Sequence, residues 1–290
     1  MKIDTTGVTR RGLLRGALGY SALLGFSGQA SALAQPSFVS DFSDPVDAIR
    51  AHVKMVGSLA REDVISFYRL NLYADIGEGN FLPMFTMNNL LIDKWTPHDD
   101  NQFEMRKYEA GYYTAMDSYE PLQTFTNPVT GEELPLVNFR LGPVPRRYTP
   151  ERFYVMAYDP NPLPLEVIGD RVFLPTQSIE ARPMPGGRGL DAPTLFTNSF
   201  MTYSASLADM QNPDLASAPC HAQLQNKNDF TPWMKMGDTP GGTVARGFGS
   251  KVAGLDALPP GVLEGFKAFT PEILDTDNWT QFVSETVETE

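Results

Sequence analysis

From Val64 to Ser250 the chain runs as short segments rich in Tyr, Phe, Val, Leu and Thr, divided by Pro, Gly, Asn and Asp. Proline and glycine impose backbone geometry that other residues resist, so this punctuation dictates strands and turns. Ile168-Gly169-Asp170-Arg171, set between Leu165/Val167 and Val172/Leu174, predicts a hairpin with a two-residue loop. Asn127-Pro128-Val129-Thr130-Gly131, between Leu122–Thr126 and Leu134–Phe139, predicts a second. Asp159-Pro160-Asn161-Pro162 and Asn212-Pro213 mark further reversals. About ten strands in meander order follow, paired antiparallel. A long meander exposes two sheet edges unless it closes, so the expectation is a mainly β fold: an antiparallel meander forming a closed or nearly closed β-barrel.

Helices are expected at both ends of this series. Ser43-Asp44-Pro45 supplies a cap residue followed by a first-turn proline, and Val46, Ile49, Val53 and Val56 recur at helical spacing, predicting an N-terminal helix of about 13 residues. Near the C-terminus, Leu258-Pro259-Pro260 precedes Val262, Leu263, Phe266 and Phe269, and Asp277 caps a segment whose Trp279, Phe282 and Val283 share a face. These helices are expected to pack on the barrel. The Met184–Gly189 loop is the best candidate for a domain boundary, but strand texture on both sides argues for a single domain over 35–290.

The first 34 residues have the order of a twin-arginine signal peptide: a polar start, the Arg10-Arg11 pair, and a mild apolar stretch from Gly16 to Phe26. Ala32 and Ala34 place small residues where a signal peptidase needs them, so the cut is expected after Ala34, with Ala32 the second choice. The apolar stretch is interrupted by Gly19, Ser21 and Gly25 and is shorter than the ~20 residues of a spanning helix, which disfavours a permanent membrane anchor. The export machinery is then a partner. The expected location is the periplasm, or the outside of a cell without an outer membrane.

Charge and cysteine narrow the partners. The full chain has 23 basic and 35 acidic side chains, and losing the leader takes the net charge to about −15. That argues against nucleic acid or an anionic membrane surface. The single Cys220 forms no internal disulfide, so the fold must stand in an oxidising compartment on its core alone.

Two stretches carry a resemblance: Tyr119 to Asn138, centred on Thr126-Asn127-Pro128-Val129-Thr130-Gly131-Glu132, and Phe230-Thr231-Pro232-Trp233-Met234-Lys235-Met236-Gly237-Asp238-Thr239-Pro240-Gly241-Gly242. With the twin-arginine leader before them and Leu258-Pro259 after, they resemble the bacterial family called domain of unknown function 1838. The resemblance implies no reaction and no catalytic residues. The Asn-Pro-x-Thr-Gly-Glu segment also has a purely structural account as a hairpin turn.

Chemistry-bearing residues are sparse. There is no Gly-x-Ser-x-Gly elbow. Neighbours on a strand point to opposite faces, so the adjacent Cys220-His221 reads as a packed cysteine beside a surface histidine. His52, His98 and His221 show no metal-ligand spacing, and His98-Asp99-Asp100 is the one local cluster suited to a cation, though it also reads as a solvated loop. Gly247-Phe248-Gly249 and Gly241-Gly242 lack the strand-to-helix setting of a nucleotide fingerprint, so no cofactor is predicted. Arg140, Arg146, Arg147 and Arg152 gather positive charge that suits a carboxylate or phosphate, or surface ion pairs.

The expectation is an exported, cofactor-independent acid–base enzyme of isomerase, hydratase or lyase type, acting on a small apolar or aromatic molecule. His98 or His221 would carry the proton, with Arg146, Arg147 and Trp233 holding the ligand. The alternatives are a non-catalytic small-ligand carrier and a structural or interaction protein with a filled core. Convergence of two ionisable groups in one cavity separates the first from the second.

Overall fold

Helix α1 (Pro45–Val56) starts where proline costs nothing: Pro45 occupies the first turn, and the Asp44 side chain accepts from the backbone N–H groups of Val46 and Asp47 at 2.9 and 3.1 Å. The computed structural model describes residues 44–77, 79–98, 101–151, 165–183 and 194–281, all within one compact unit, Ser37–Glu290. The helix ends at Gly57, and a Cβ there would lie 2.0 Å from the Trp95 indole, so only glycine lets the chain leave the helix against that ring.

Among the described residues eleven strands follow: β1 (Asp63–Asp75), β2 (Phe81–Pro97), β3 (Phe103–Thr114), β4 (Thr124–Thr126), β5 (Glu133–Pro135), β6 (Phe139–Tyr148), β7 (Glu166–Ile168), β8 (Arg171–Pro183), β9 (Thr194–Ser206), β10 (Cys220–Asn228) and β11 (Gly242–Val252). Nine form one antiparallel sheet in the order β6-β3-β2-β1-β11-β10-β9-β8-β7, and β4 and β5 form a hairpin of their own. Two meanders thus meet where the first strand pairs with the last. Two of the predicted turns are present: Ile168 pairs with Arg171 across Gly169-Asp170, and Gly131, at φ 73°, closes the β4–β5 turn; Asp159-Pro160-Asn161-Pro162 and the Met184–Gly189 loop lie outside the described residues. Asn212 and Pro213 follow a short helix, α2 (Leu207–Gln211), that pattern alone does not show.

The mainly β, antiparallel expectation holds, but among the described residues the sheet does not close into the expected barrel: it ends at β6 on one side and at β7 on the other. Edge protection comes from other devices. β6 carries Pro143 and Pro145, which cannot donate to a tenth strand, and β7 is only three residues long.

Curvature nonetheless brings the two arms together around α1. Its buried Ala48, Ile49, Val53 and Met55 share one apolar cluster with Trp95, Met105 and Tyr148 of one arm and Val172, Leu174 and Ala205 of the other. Lys251 of β11 secures the helix from below. Its ammonium donates to the carbonyls of Lys54 (3.1 Å), Gly57 (2.7 Å) and Ala218 (3.1 Å) and to Ser217 Oγ (2.8 Å).

The C-terminal elements pack on the outside of this curve. Helix α3 (Val262–Phe269) and the 3-10 turns after it cover Leu90, Ile92, Tyr108, Ala110 and Tyr112 on the convex face. Tyr112 meets Phe266 edge-on at 5.0 Å, and Trp279 Nε1 donates to the Gly142 carbonyl at 2.7 Å. Phe282 and Val283 lie outside the described residues. The interior is therefore held by the N-terminal helix, and the C-terminal helices thicken one arm.

Candidate active site

Alternation along each strand decides which side chains face inward. Across the register, one concave level reads Gly111, Asn89, Tyr68, Gly249, Ala222 and Tyr203. The next carries Glu109, Leu91, Ser66 and Lys251, and the one beyond it Val144, Lys107, Asp93 and Val64. Arg146 follows, opposite Met105. A surface otherwise made of Leu, Met, Val and aromatic side chains thus holds a polar cluster drawn from six strands.

Asp93 is its centre. The residue is 7% exposed, and its Oδ1 is buried without a hydrogen-bond partner. Lys107 is its cross-strand partner on β3. Burial pushes the Asp93 carboxyl up to about 6; Lys107, Arg146 and Lys251 oppose that rise and Glu109 adds to it. Glu109 accepts from Asn89 Nδ2 at 2.6 Å, while Asn89 Oδ1 is left buried and unpartnered. Unsatisfied polar atoms clustered in one interior call for water or a ligand group.

Two phenols border the cluster. Tyr68 lies flat on β11, since a Cβ on Gly249 would come within 2.3 Å of its ring. Burial drives its pKa well up, and the charged forms of Tyr203, Cys220, Asp93 and Glu109 drive it further. Tyr203 is raised for the same reason, so both phenols stay protonated at any physiological pH. Cys220 is buried and its thiol is pushed up to about 11, mainly by burial, which leaves it a packing residue and a poor nucleophile.

The residues singled out in the sequence separate. His221 faces the convex side and is exposed. His98, also exposed, lies 3.6 Å from Glu104 just past β2; its neighbours Asp99 and Asp100 lie outside the described residues. Among the described residues no three His, Cys, Asp or Glu side chains converge as a metal site. The arginines alternate faces: Arg140 pairs with Glu272 at 3.1 Å, Arg147 bonds Gln102 at the surface, and Arg146 alone turns inward to the cluster. Arg152 lies outside the described residues. Trp233 packs on Tyr113 and Phe85, with ring centroids 6.2 and 6.4 Å away. Arg146 pairs with Met105, whose backbone is eight residues, roughly 26 Å, along β3 from the Tyr113 on which Trp233 packs, so the strand register does not bring Arg146 and Trp233 together.

Asp93, Tyr68 and Glu109 escape a search for familiar motifs. The available signal is a lone acid in the apolar run Leu90-Leu91-Ile92-Asp93-Lys94-Trp95, on the inward parity. A shallow groove of about 390 Å³ between Tyr119–Pro121 and α3 lies on the convex side, away from this chemistry.

The two motifs that carried the family resemblance meet in space. Asn127 Nδ2 donates to the Met234 carbonyl at 2.8 Å, Lys235 pairs with Glu132 at 2.7 Å, and Phe125 meets Trp233 at 5.6 Å. They lock the β4–β5 hairpin onto one end of the curved sheet. A family model described as a protein of unknown function (DUF1838) matches residues 62–285. No curated protein and no solved structure shows a significant match to the chain.

Proposed function

Because the chain belongs to the DUF1838 family, which brings no reaction with it, we propose its function from the concave site: an acid–base enzyme of isomerase, hydratase or lyase type acting on a small apolar or aromatic molecule. The observation that carries this is Asp93, a buried carboxyl whose Oδ1 has no hydrogen-bond partner among the described residues, held near 6. A carboxylate in that range is a stronger base than one in water and is still mostly ionised at neutral pH. Lys107 opposite favours its charged form, and the Tyr68 hydroxyl, kept protonated by burial on the same concave face, supplies a donor for an oxygen on which charge develops. The twin-arginine leader puts this activity outside the cytoplasm.

The test needs no known substrate. Purified mature protein is incubated in D2O with a small-molecule extract, and mass spectrometry looks for molecules that gain deuterium or change by one water. With the native protein at least one such molecule is expected, and Asp93→Asn should slow its conversion by about 100-fold or more. Equal conversion by the variant would remove Asp93 from the chemistry. A molecule that co-purifies unchanged, with no conversion of anything, would favour the carrier reading.

A further inference from the structure

The convex side of the sheet differs between its two arms. Over β2 and β3 it is covered by α3 and the turns that follow it. Over β9 and β11 it carries Phe196, Phe200 and Phe248, which are 49%, 48% and 66% exposed. Alternation accounts for their position: the residues of opposite parity on these strands and β10, among them Met201, Ala222, Leu224 and Ala245, belong to the interior cluster. Register sets Phe248 opposite Gln223 of β10 and Phe200 opposite Gln225, so the two rings flank that strand from either side, one two-residue step apart. A single exposed ring needs no explanation, but several on one sheet face mark a surface that is covered by something. We propose that this face pairs with the same face of a second copy of the chain about a two-fold axis.

Charge selects that partner. Among the described residues, none of the convex positions on β8, β9, β10 and β11 is Asp or Glu, in a chain with 35 acidic side chains. Between the rings the face holds the amides Gln223 and Gln225, with Thr202 beside them and Arg246 next in line. Lys227 is already paired with Asp75 of the neighbouring strand β1 at 3.0 Å. Aromatic rings and an arginine with carboxylates missing make up the centre of a protein–protein interface. Two copies of so acidic a chain repel on approach, and here they meet with no carboxylate on either side. Two-fold pairing is the commonest closed assembly and sets a face against itself, so what holds for one side holds for both.

The size of the face agrees. Over His221–Asn228, where β10 pairs on both sides, it is roughly 27 Å long, and the four strands span about 19 Å, giving about 500 Å² in projection and more with the relief of the side chains, against ~800 Å² per partner in a standard interface. An area at the lower end of that class fits a dimer with a Kd on the order of micromolar.

Sedimentation velocity on the purified full chain from ~1 to ~100 μM tests the pairing. A monomer–dimer equilibrium is expected within that range. Phe248→Asp and Phe200→Ser, both at exposed positions, should each raise Kd by about tenfold or more with an unchanged circular dichroism spectrum. Phe81→Asp, which alters a ring 54% exposed at the start of β2 and off this face, should leave Kd as it is. Added NaCl should tighten the dimer, because it screens the repulsion between two acidic chains. A native protein that stays monomeric throughout overturns the proposal and gives the face to a different kind of partner. A dimer indifferent to both Phe248→Asp and Phe200→Ser, weakened as much by Phe81→Asp, or dissociated by salt, overturns it as well, since its contacts would then lie elsewhere.

Discussion

Asp93 and His52 titrate in opposite senses within one interior. An ordinary Asp ionises near 3.9, and burial holds Asp93 at about 6, so between those values the native state binds more protons than the unfolded chain. Stability from this residue therefore rises as pH falls from 6 toward 4, and ionisation at pH 7 costs about 3 kcal/mol. His52, buried beside Tyr148, is lowered to about 4, by burial first and by Arg146 second. Its contribution is complete above about 6.5 and is lost as pH falls through 4, again by about 3 kcal/mol. The two nearly cancel in the native protein. Asp93→Asn should thus raise stability at pH 7 by up to about 3 kcal/mol and uncover a decline of similar size between pH 6.5 and 4. Denaturant melts across that range check it; an Asp93→Asn protein no more stable than the native one at pH 7 would show that the carboxylate is not strained by burial. The same residue shows what single positions conceal: His98 and His221 drew attention because histidine titrates near neutrality, yet both are exposed, and desolvation has moved an aspartate into that range instead.

Among the elements, the β4–β5 hairpin depends on one buried amide. Asn127 is fully buried; its Oδ1 accepts from the Val129 and Thr130 N–H groups at 2.8 and 3.0 Å, and its Nδ2 reaches Met234. Asn127→Ala removes the turn acceptor and leaves a buried carbonyl unpartnered, a cost of about 2–3 kcal/mol. Lys235–Glu132 ties the same two segments, but its side chains are 58% and 49% exposed, so Lys235→Ala should cost under about 1 kcal/mol. Thermal unfolding of the two variants decides between them; equal losses would mean that the surface pair, not the amide, holds the hairpin. The Asn-Pro-x-Thr-Gly-Glu turn itself was legible, because an Asx turn is local. Its docking on the Phe230–Gly242 segment was not, since that contact joins residues more than a hundred positions apart.

For the whole molecule, the proposed export is what comes first to be tested. With Arg10 and Arg11 both replaced by lysine, the precursor should remain unprocessed in the cytoplasm, as read by cell fractionation and mass; efficient appearance of a processed form outside would refute the twin-arginine assignment. The open sheet suits the proposed export in folded form, because each edge is blunted within its own strand, by Pro143 and Pro145 in β6 and by the brevity of β7.

Local physics explains what the amino-acid sequence determined unaided. A capping aspartate with a following proline, Gly169 in its two-residue loop, Gly131 at positive φ and two-residue alternation each act over a few residues, so α1, the hairpins and the antiparallel strands could be read directly. The tertiary structure decided the remainder: that β1 pairs with β11, that the sheet curls round α1 without closing, and that Asp93, Lys107, Glu109, Tyr68 and Arg146 share a face. These outcomes depend on pairing between strands far apart in the chain and on the water excluded when they meet, and no short window of residues contains either quantity.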